Sequence, residues 1–216
     1  MQTLYEDNSC FVLDKPAGVN VGELPYEFLV HRLDKETTGC LLIAKTADSL
    51  DLLQRQFKER TVQKAYLALV TGIPQYKHAI IDAPIGRNIA ERTKMGVSRI
   101  AKRREAQTEY RVLQTGNNVA LLKCLPKTGR THQIRVHLKS IGHPIIGDAK
   151  YGKNCHGERC LPGEALAKTG RTMTSMPLCL HAWKLSFDSP VGMLVQVEAP
   201  LPKEFLEVLK DVGIAI

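Results

Sequence analysis

The stretch His31-Arg32-Leu33-Asp34-Lys35-Glu36-Thr37-Thr38-Gly39 lies between Phe28-Leu29-Val30 and the apolar run Cys40-Leu41-Leu42-Ile43-Ala44. It sets one carboxylate beside an arginine, between two segments that want to be buried. A carboxyl at the edge of a core has its pKa raised by desolvation unless a cation or donors compensate. In a strand Arg32 and Asp34 would share a face, because they are two residues apart. Thr37, Thr38 and Gly39 add hydroxyls, amide donors and a flexible position. Candidate cations gather in a second block, Gly129-Arg130-Thr131-His132-Gln133-Ile134-Arg135-Val136-His137-Leu138.

Around these two blocks the chain alternates strand-like and helix-like patterns. Cys10 to Leu13 reads as a short buried strand ended by Lys15-Pro16-Ala17-Gly18, and Cys40 to Ala44 as another. Thr46 is placed to cap a helix that carries Leu50, Leu53 and Phe57 on one side. Residues 64–70 alternate, with Tyr66, Ala68 and Val70 on one face. Strand patterns return at 108–113 and 119–125, with Asn117-Asn118 as the turn. Residues 131–141 carry the stripe Ile134, Leu138, Ile141 and stop at Gly142, the clearest helical pattern of the chain. Residues 178–187 and 193–197 read as a strand pair, and 202–209 as a closing helix. Without a regular βαβ rhythm, the expected class is α+β, a mixed, mostly antiparallel sheet with flanking helices in a single domain over 1–216. Residues 153–177 are Gly-rich and poorly periodic, so a surface excursion is expected there.

The 216 residues carry 30 Lys and Arg against 22 Asp and Glu, a formal charge of +8. That excess favours a polyanionic partner. Basic residues concentrate between Gly86 and Arg104, where apolar periodicity disappears: Arg87, Arg92, Lys94, Arg99, Lys102, Arg103 and Arg104. A solvated loop and an RNA-contacting loop are both consistent with that run. No apolar run approaches the about 18 residues of a membrane span, and the acidic N-terminus does not resemble a signal peptide, so a cytoplasmic protein is expected. Its six cysteines should then stay reduced, with Cys10, Cys40, Cys124 and Cys179 as buried small residues. A metal site is not expected. Cys155 and Cys160 beside His156 form a lone C-x4-C, and His132 and His137 are five residues apart, about 500° around a helix, on different faces. The pentapeptide Lys127-Thr128-Gly129-Arg130-Thr131 recurs at 168–172, too short a repeat to establish a duplication.

The two blocks resemble the signatures of the RluA family of RNA pseudouridine synthases: His-Arg-Leu-Asp, a two-residue gap, then Thr and a hydroxyl residue before Gly, with Thr38 where relatives carry Ser. The resemblance continues in Leu4-Tyr5-Glu6-Asp7 with Lys15-Pro16-Ala17-Gly18, in Lys64-Ala65-Tyr66-Leu67, in Gly142-His143-Pro144-Ile145-Ile146-Gly147-Asp148 with Tyr151-Gly152, and in Leu180-His181-Ala182. It implies a pseudouridine synthase-like catalytic domain that needs no metal or organic cofactor. It also implies a monomer acting on structured RNA, ribosomal or transfer. Asp34 would be the catalytic acid, Arg135 the arginine paired with it, and Tyr66 the ring that stacks on the target uracil. Arg32 would enter the RNA stack as the uridine leaves. His31, Thr37, Thr38, Arg130, His132 and Gln133 would line the substrate site, and Lys102, Arg103 and Arg104 would contact phosphates. Only twelve residues separate Gly18 from His31, fewer than in many relatives, and no S4-like domain is expected before the core. Two alternatives remain at this stage: a non-catalytic RNA-binding protein on the same scaffold, and a glycosidase that releases the base.

Overall fold

The computed structural model describes residues 1–98, 100–152 and 176–215. These fall into two compact units. The first comprises Met1–Tyr66 and His181–Pro202, the second Leu67–Leu180 and Lys203–Ile216. The expected excursion at 153–177, the Cys155/Cys160 pair, the repeat at 168–172 and Arg99 lie wholly or almost wholly outside the described residues.

In the first unit, β1 (Gln2–Glu6), β2 (Cys10–Lys15) and β3 (Thr38–Ala44) run antiparallel in that order. β11 (Leu180–Asp188) lies parallel to β3, pairing His181 with Thr38 and Ala182 with Gly39, and carries the antiparallel β12 (Leu194–Glu198). β3 is buried along its whole length, as expected of a continuous apolar run with both faces covered. One face gives Cys10, Val12, Cys40 and Leu42 to a cluster with Leu53, Leu185, Phe187, Val195 and Val197. Leu53 comes from α1 (Ala47–Glu59), whose N-cap is Thr46, accepting from the Ser49 amide at 3.2 Å. The other face gives Leu13, Leu41 and Ile43 to a second cluster with Val21, Leu33 and Ala182, against which Tyr66 packs. Gly39 (φ +105°) is required by this register: a Cβ there would lie 2.3 Å from the Ala182 carbonyl oxygen.

The second unit holds its share of β4 (Gln63–Thr71), then β10 (Val119–Pro126), β9 (Gln107–Gly116) and β5 (His78–Asp82), in that spatial order. Antiparallel pairing joins β10 to β9 and β9 to β5. Asn118 takes the left-handed conformation (φ 54°) in the β9–β10 turn. α2 (Gln133–Ser140) presents Ile134, Val136 and Leu138 to the interior. α3 (Lys203–Asp211) buries Phe205, Val208 and Leu209. The architecture is the expected α+β class with mostly antiparallel pairing.

One expectation changes. Residues 86–104 are not an irregular loop; β6 (Ile85–Asn88), β7 (Met95–Gly96) and β8 (Ile100–Arg104) form a separate three-stranded antiparallel sheet. Ile85 is the one fully buried apolar residue of these strands, and most of β8 is exposed. Such strands show no alternation of apolar and polar residues. The helix start also shifts. His132 sits at φ 56°, so α2 begins at Gln133 rather than near Thr131.

Candidate functional site

In the first unit the motif loop is built around Leu33. That side chain sinks into the cluster with Val21, Leu13 and Leu41, while Arg32 remains exposed and Asp34 half-buried. Arg32 and His31 line an apolar cleft of about 340 Å³ with Asn20, Val21, Leu29 and Leu33. Behind Asp34 the Thr37 amide donates to the Asp34 carbonyl at 3.0 Å, closing a turn. Thr37 itself is buried.

Beneath this loop lies a residue whose role the sequence did not reveal. Lys15 is 0% exposed, and its Nζ donates to the carbonyls of Pro16 (2.9 Å), Val19 (3.0 Å) and Lys35 (2.9 Å). Burial lowers its pKa to about 8, while the charges of Glu36 and then Asp34 pull it back up. The ammonium thus ties the end of β2 to the residue after Asp34 and supplies positive charge near that carboxylate. Its sequence signal was weak: a lysine directly after a buried strand, before Pro16-Ala17-Gly18.

Tyr66 is half-buried. Burial first, and the Asp34 carboxylate second, push its phenol above the ordinary range. The phenol stays protonated at neutral pH. Thr38 is fixed by the Leu180-His181-Ala182 motif. His181 Nε2 lies 3.2 Å from the Ala199 carbonyl, which can only accept, so Nε2 carries the proton and Nδ1 accepts from the Thr38 hydroxyl at 2.8 Å. His31 is turned to structural use. Its Nε2 accepts from the Leu42 amide at 3.0 Å, and its ring stacks on Phe57 with centroids 4.8 Å apart. Burial, helped by the Lys64 charge, lowers its pKa to about 3.

In the second unit Gln133 is fully engaged. Its Oε1 accepts from the Thr128 hydroxyl (2.6 Å) and the Arg130 amide (3.0 Å). Its Nε2 donates to the Gln107 carbonyl (2.9 Å) and lies 3.0 Å from the Thr108 hydroxyl. The Gln133 amide group thus welds the start of α2 to β9. Arg130 Nε donates to the Glu105 carbonyl at 3.0 Å. His137, with Nδ1 2.9 Å from the Thr108 hydroxyl and Nε2 2.9 Å from the Ala83 carbonyl, is an interior residue.

Arg135 is only 7% exposed, and Asp148 grips it from both sides: Nε donates to Oδ2 at 2.8 Å and Nη2 to Oδ1 at 2.9 Å. Such a bidentate pair fixes the plane of the guanidinium as well as its charge. Its Cζ lies 5.1 Å from the centre of the Tyr151 ring. Gly147-Asp148 and Tyr151-Gly152 are visible as motif in the sequence, but the partner of Asp148 is thirteen positions away and shows only in the fold. Lys102, Arg103 and Arg104 are exposed on β8, with Arg87 exposed on β6. Among the described residues no group of three or more His, Cys, Asp or Glu side chains is arranged to hold a metal ion.

Residues 25–140 match the family model described as RNA pseudouridylate synthase. The chain belongs to the RluA family of RNA pseudouridine synthases, enzymes of the isomerase class. It is similar to the ribosomal large subunit pseudouridine synthase D of Nitrosomonas europaea, at 38% identity over 98% of this chain and 65% of that protein. It is also similar to the protein of the same name from Pseudomonas aeruginosa, at 36% identity over 97% of this chain and 71% of the relative. The chain thus spans about two thirds of the length of these curated relatives. Among solved structures, human RNA pseudouridylate synthase domain containing 4 superposes with a TM-score of 0.84 at 30% identity, covering 99% of this chain and 94% of the human one.

Proposed function

We propose that the chain converts specific uridines of structured RNA to pseudouridine, with Asp34 as the acting carboxylate. Ribosomal RNA is the favoured substrate, because the relatives named above are ribosomal large subunit synthases. The reaction breaks the N1–C1′ bond, turns the uracil and joins C5 to C1′; the C5 hydrogen leaves and N1 gains one. Asp34 either attacks C1′ or assists a glycal-like intermediate.

The observation that carries the reading is geometric: Leu33 of the Asp34 motif and Tyr66 pack into one cluster, and the buried Lys15 ammonium donates to the Lys35 carbonyl beside Asp34. A carboxylate beside an aromatic ring that stays neutral suits a reaction in which a base is stacked while its sugar carbon is attacked. Tyr66 serves as the ring that stacks on the uracil and assists proton transfer at C5. By family resemblance Arg135 supplies the counter-charge that keeps Asp34 ionised when RNA excludes water; its buried, bidentate setting suits a guanidinium held for electrostatic work. Arg32 occupies the gap in the RNA stack when the uridine flips, an event costing a few kcal/mol. Lys102, Arg103 and Arg104 contact phosphates, which position RNA without specifying sequence.

Mass spectrometry with carbodiimide mapping of an unmodified large-subunit ribosomal RNA transcript, treated with the purified chain, tests the reading. Isomerisation leaves the mass unchanged and creates a carbodiimide-reactive base whose adduct survives alkali. Loss of a base would reveal a glycosidase. RNA bound and unaltered would reveal a binding protein.

A further inference from the structure

Tyr151 makes more connections to the Arg135 cluster than its single motif position suggests. The side chain is 2% exposed. Its ring lies under the Arg135 guanidinium and packs with Ile85, Ala106 and Val136, and with Met95 and Val97 at the edge of that cluster. Its amide donates to Asp148 Oδ1 at 2.9 Å, the oxygen that also accepts from Arg135 Nη2. Its hydroxyl reaches two further elements. The Met95 amide can only donate, so the phenol oxygen accepts from it at 3.0 Å. The phenol hydrogen is then available to His132 Nδ1, 2.7 Å away at the start of α2.

Met95 belongs to β7 and Ile85 to β6, both strands of the basic sheet. One aromatic side chain therefore touches the basic sheet, the N-terminal end of α2 and the guanidinium on that helix. We propose that Tyr151 is a positioning residue that couples the basic sheet to Arg135, so that RNA held by Lys102, Arg103 and Arg104 meets a guanidinium already fixed in place. The proposal rests on the reading above that Arg135 serves the reaction. The hydroxyl sets the seat of the basic sheet, and the ring and amide set the guanidinium. The two jobs separate by mutation.

Tyr151→Phe keeps the ring and amide but loses both hydroxyl contacts. With the full chain and a large-subunit ribosomal RNA transcript, KM should rise about tenfold, as expected for one to two lost buried hydrogen bonds. kcat should stay within about twofold, since the stack under Arg135 remains. Tyr151→Leu, which also removes the ring, should lower kcat by a further factor of about ten. In a chain already carrying Lys102→Ser, Arg103→Ser and Arg104→Ser, Tyr151→Phe should cost almost nothing more in KM, because the sheet no longer holds RNA. A merely structural tyrosine would give the same penalty in both backgrounds. Without RNA, hydrogen exchange at the Met95 amide should quicken in Tyr151→Phe. Unchanged exchange, unchanged KM, or an equal KM penalty in both backgrounds would each overturn the coupling. Arg135→Met separates the two readings: if it turns over normally the role of Arg135 falls, whereas an inactive Arg135→Met beside a silent Tyr151→Phe defeats the coupling alone.

Discussion

In the first unit, the loop that carries Asp34 is held from beneath. Leu33 anchors it in the core, the Lys15 ammonium grips its backbone, and the Thr38 hydroxyl that follows is pinned by His181. In the second unit, the basic sheet is held at its root by Ile85 and the Tyr151 hydroxyl, and it leaves its cations in solvent. The difference separates two tasks. Chemistry needs an acid whose position is over-determined by buried groups. Phosphate binding needs charge on a surface, and tolerates side chains with many rotamers. Substitutions in the two regions should therefore fail in different currencies, the first in rate and the second in affinity.

After Asp34 itself, the largest effect is expected at Arg135 on α2. Arg135→Met should lower the rate of pseudouridine formation at saturating RNA by about a hundredfold or more, the usual cost of removing a preorganised charge from a reacting centre. A normal rate at neutral pH would remove Arg135 from the proposed chemistry. Replacing Lys102, Arg103 and Arg104 together with Ser should instead weaken RNA affinity about tenfold at moderate salt and leave kcat near wild type. The slope of log K against log salt should become shallower by about two, and an unaltered slope would place the binding face elsewhere.

Lys15 tests whether the motif loop really depends on support from below. Lys15→Met leaves three carbonyls without their buried donor and should cost about 3 kcal/mol of stability, measured by denaturant unfolding. A loss no larger than that of an exposed-lysine control would contradict the structural role. At neutral pH the smallest expected effect concerns His31, whose contribution shows only as the solution is acidified. Its folded pKa of about 3 lies below the usual 6.5, so between these values the unfolded chain binds the extra proton. The stability it contributes is present above pH 6.5 and is lost as pH falls toward 3. His31→Gln should flatten the Tm profile across that window, and an identical acid slope would show that His31 is not buried neutral.

Both regions bear on what the sequence could say. β2, β3, β11 and β12 of the first unit were legible because they bury one or two faces and so alternate or run apolar, whereas β1, with no buried residue, was not read as a strand; Thr46 and Gly39 carry recognisable local demands. The basic sheet was not, because its exposed strands offer Arg, Lys and Gly where a periodic apolar face would be the signal. α2 was legible by its stripe, but not its first residue, since the left-handed His132 leaves no mark in composition. Among the proposed functional residues, Asp34, Tyr66 and Arg135 stood out as motif. Lys15, Asp148 and Tyr151 were visible only as letters in motifs. Their partners are backbone carbonyls, a backbone amide and residues brought near by folding.

The central claim is that Asp34 drives an isomerisation, and forming the C5–C1′ bond must expel the C5 hydrogen. Tritium release from RNA carrying 5-tritiated uridine, followed alongside RNA binding in the same mixture, is the most direct test. Wild type should release tritium in step with pseudouridine formed, and Asp34→Asn should bind the RNA with similar affinity and release essentially none. Release by Asp34→Asn at the wild-type rate would contradict the account.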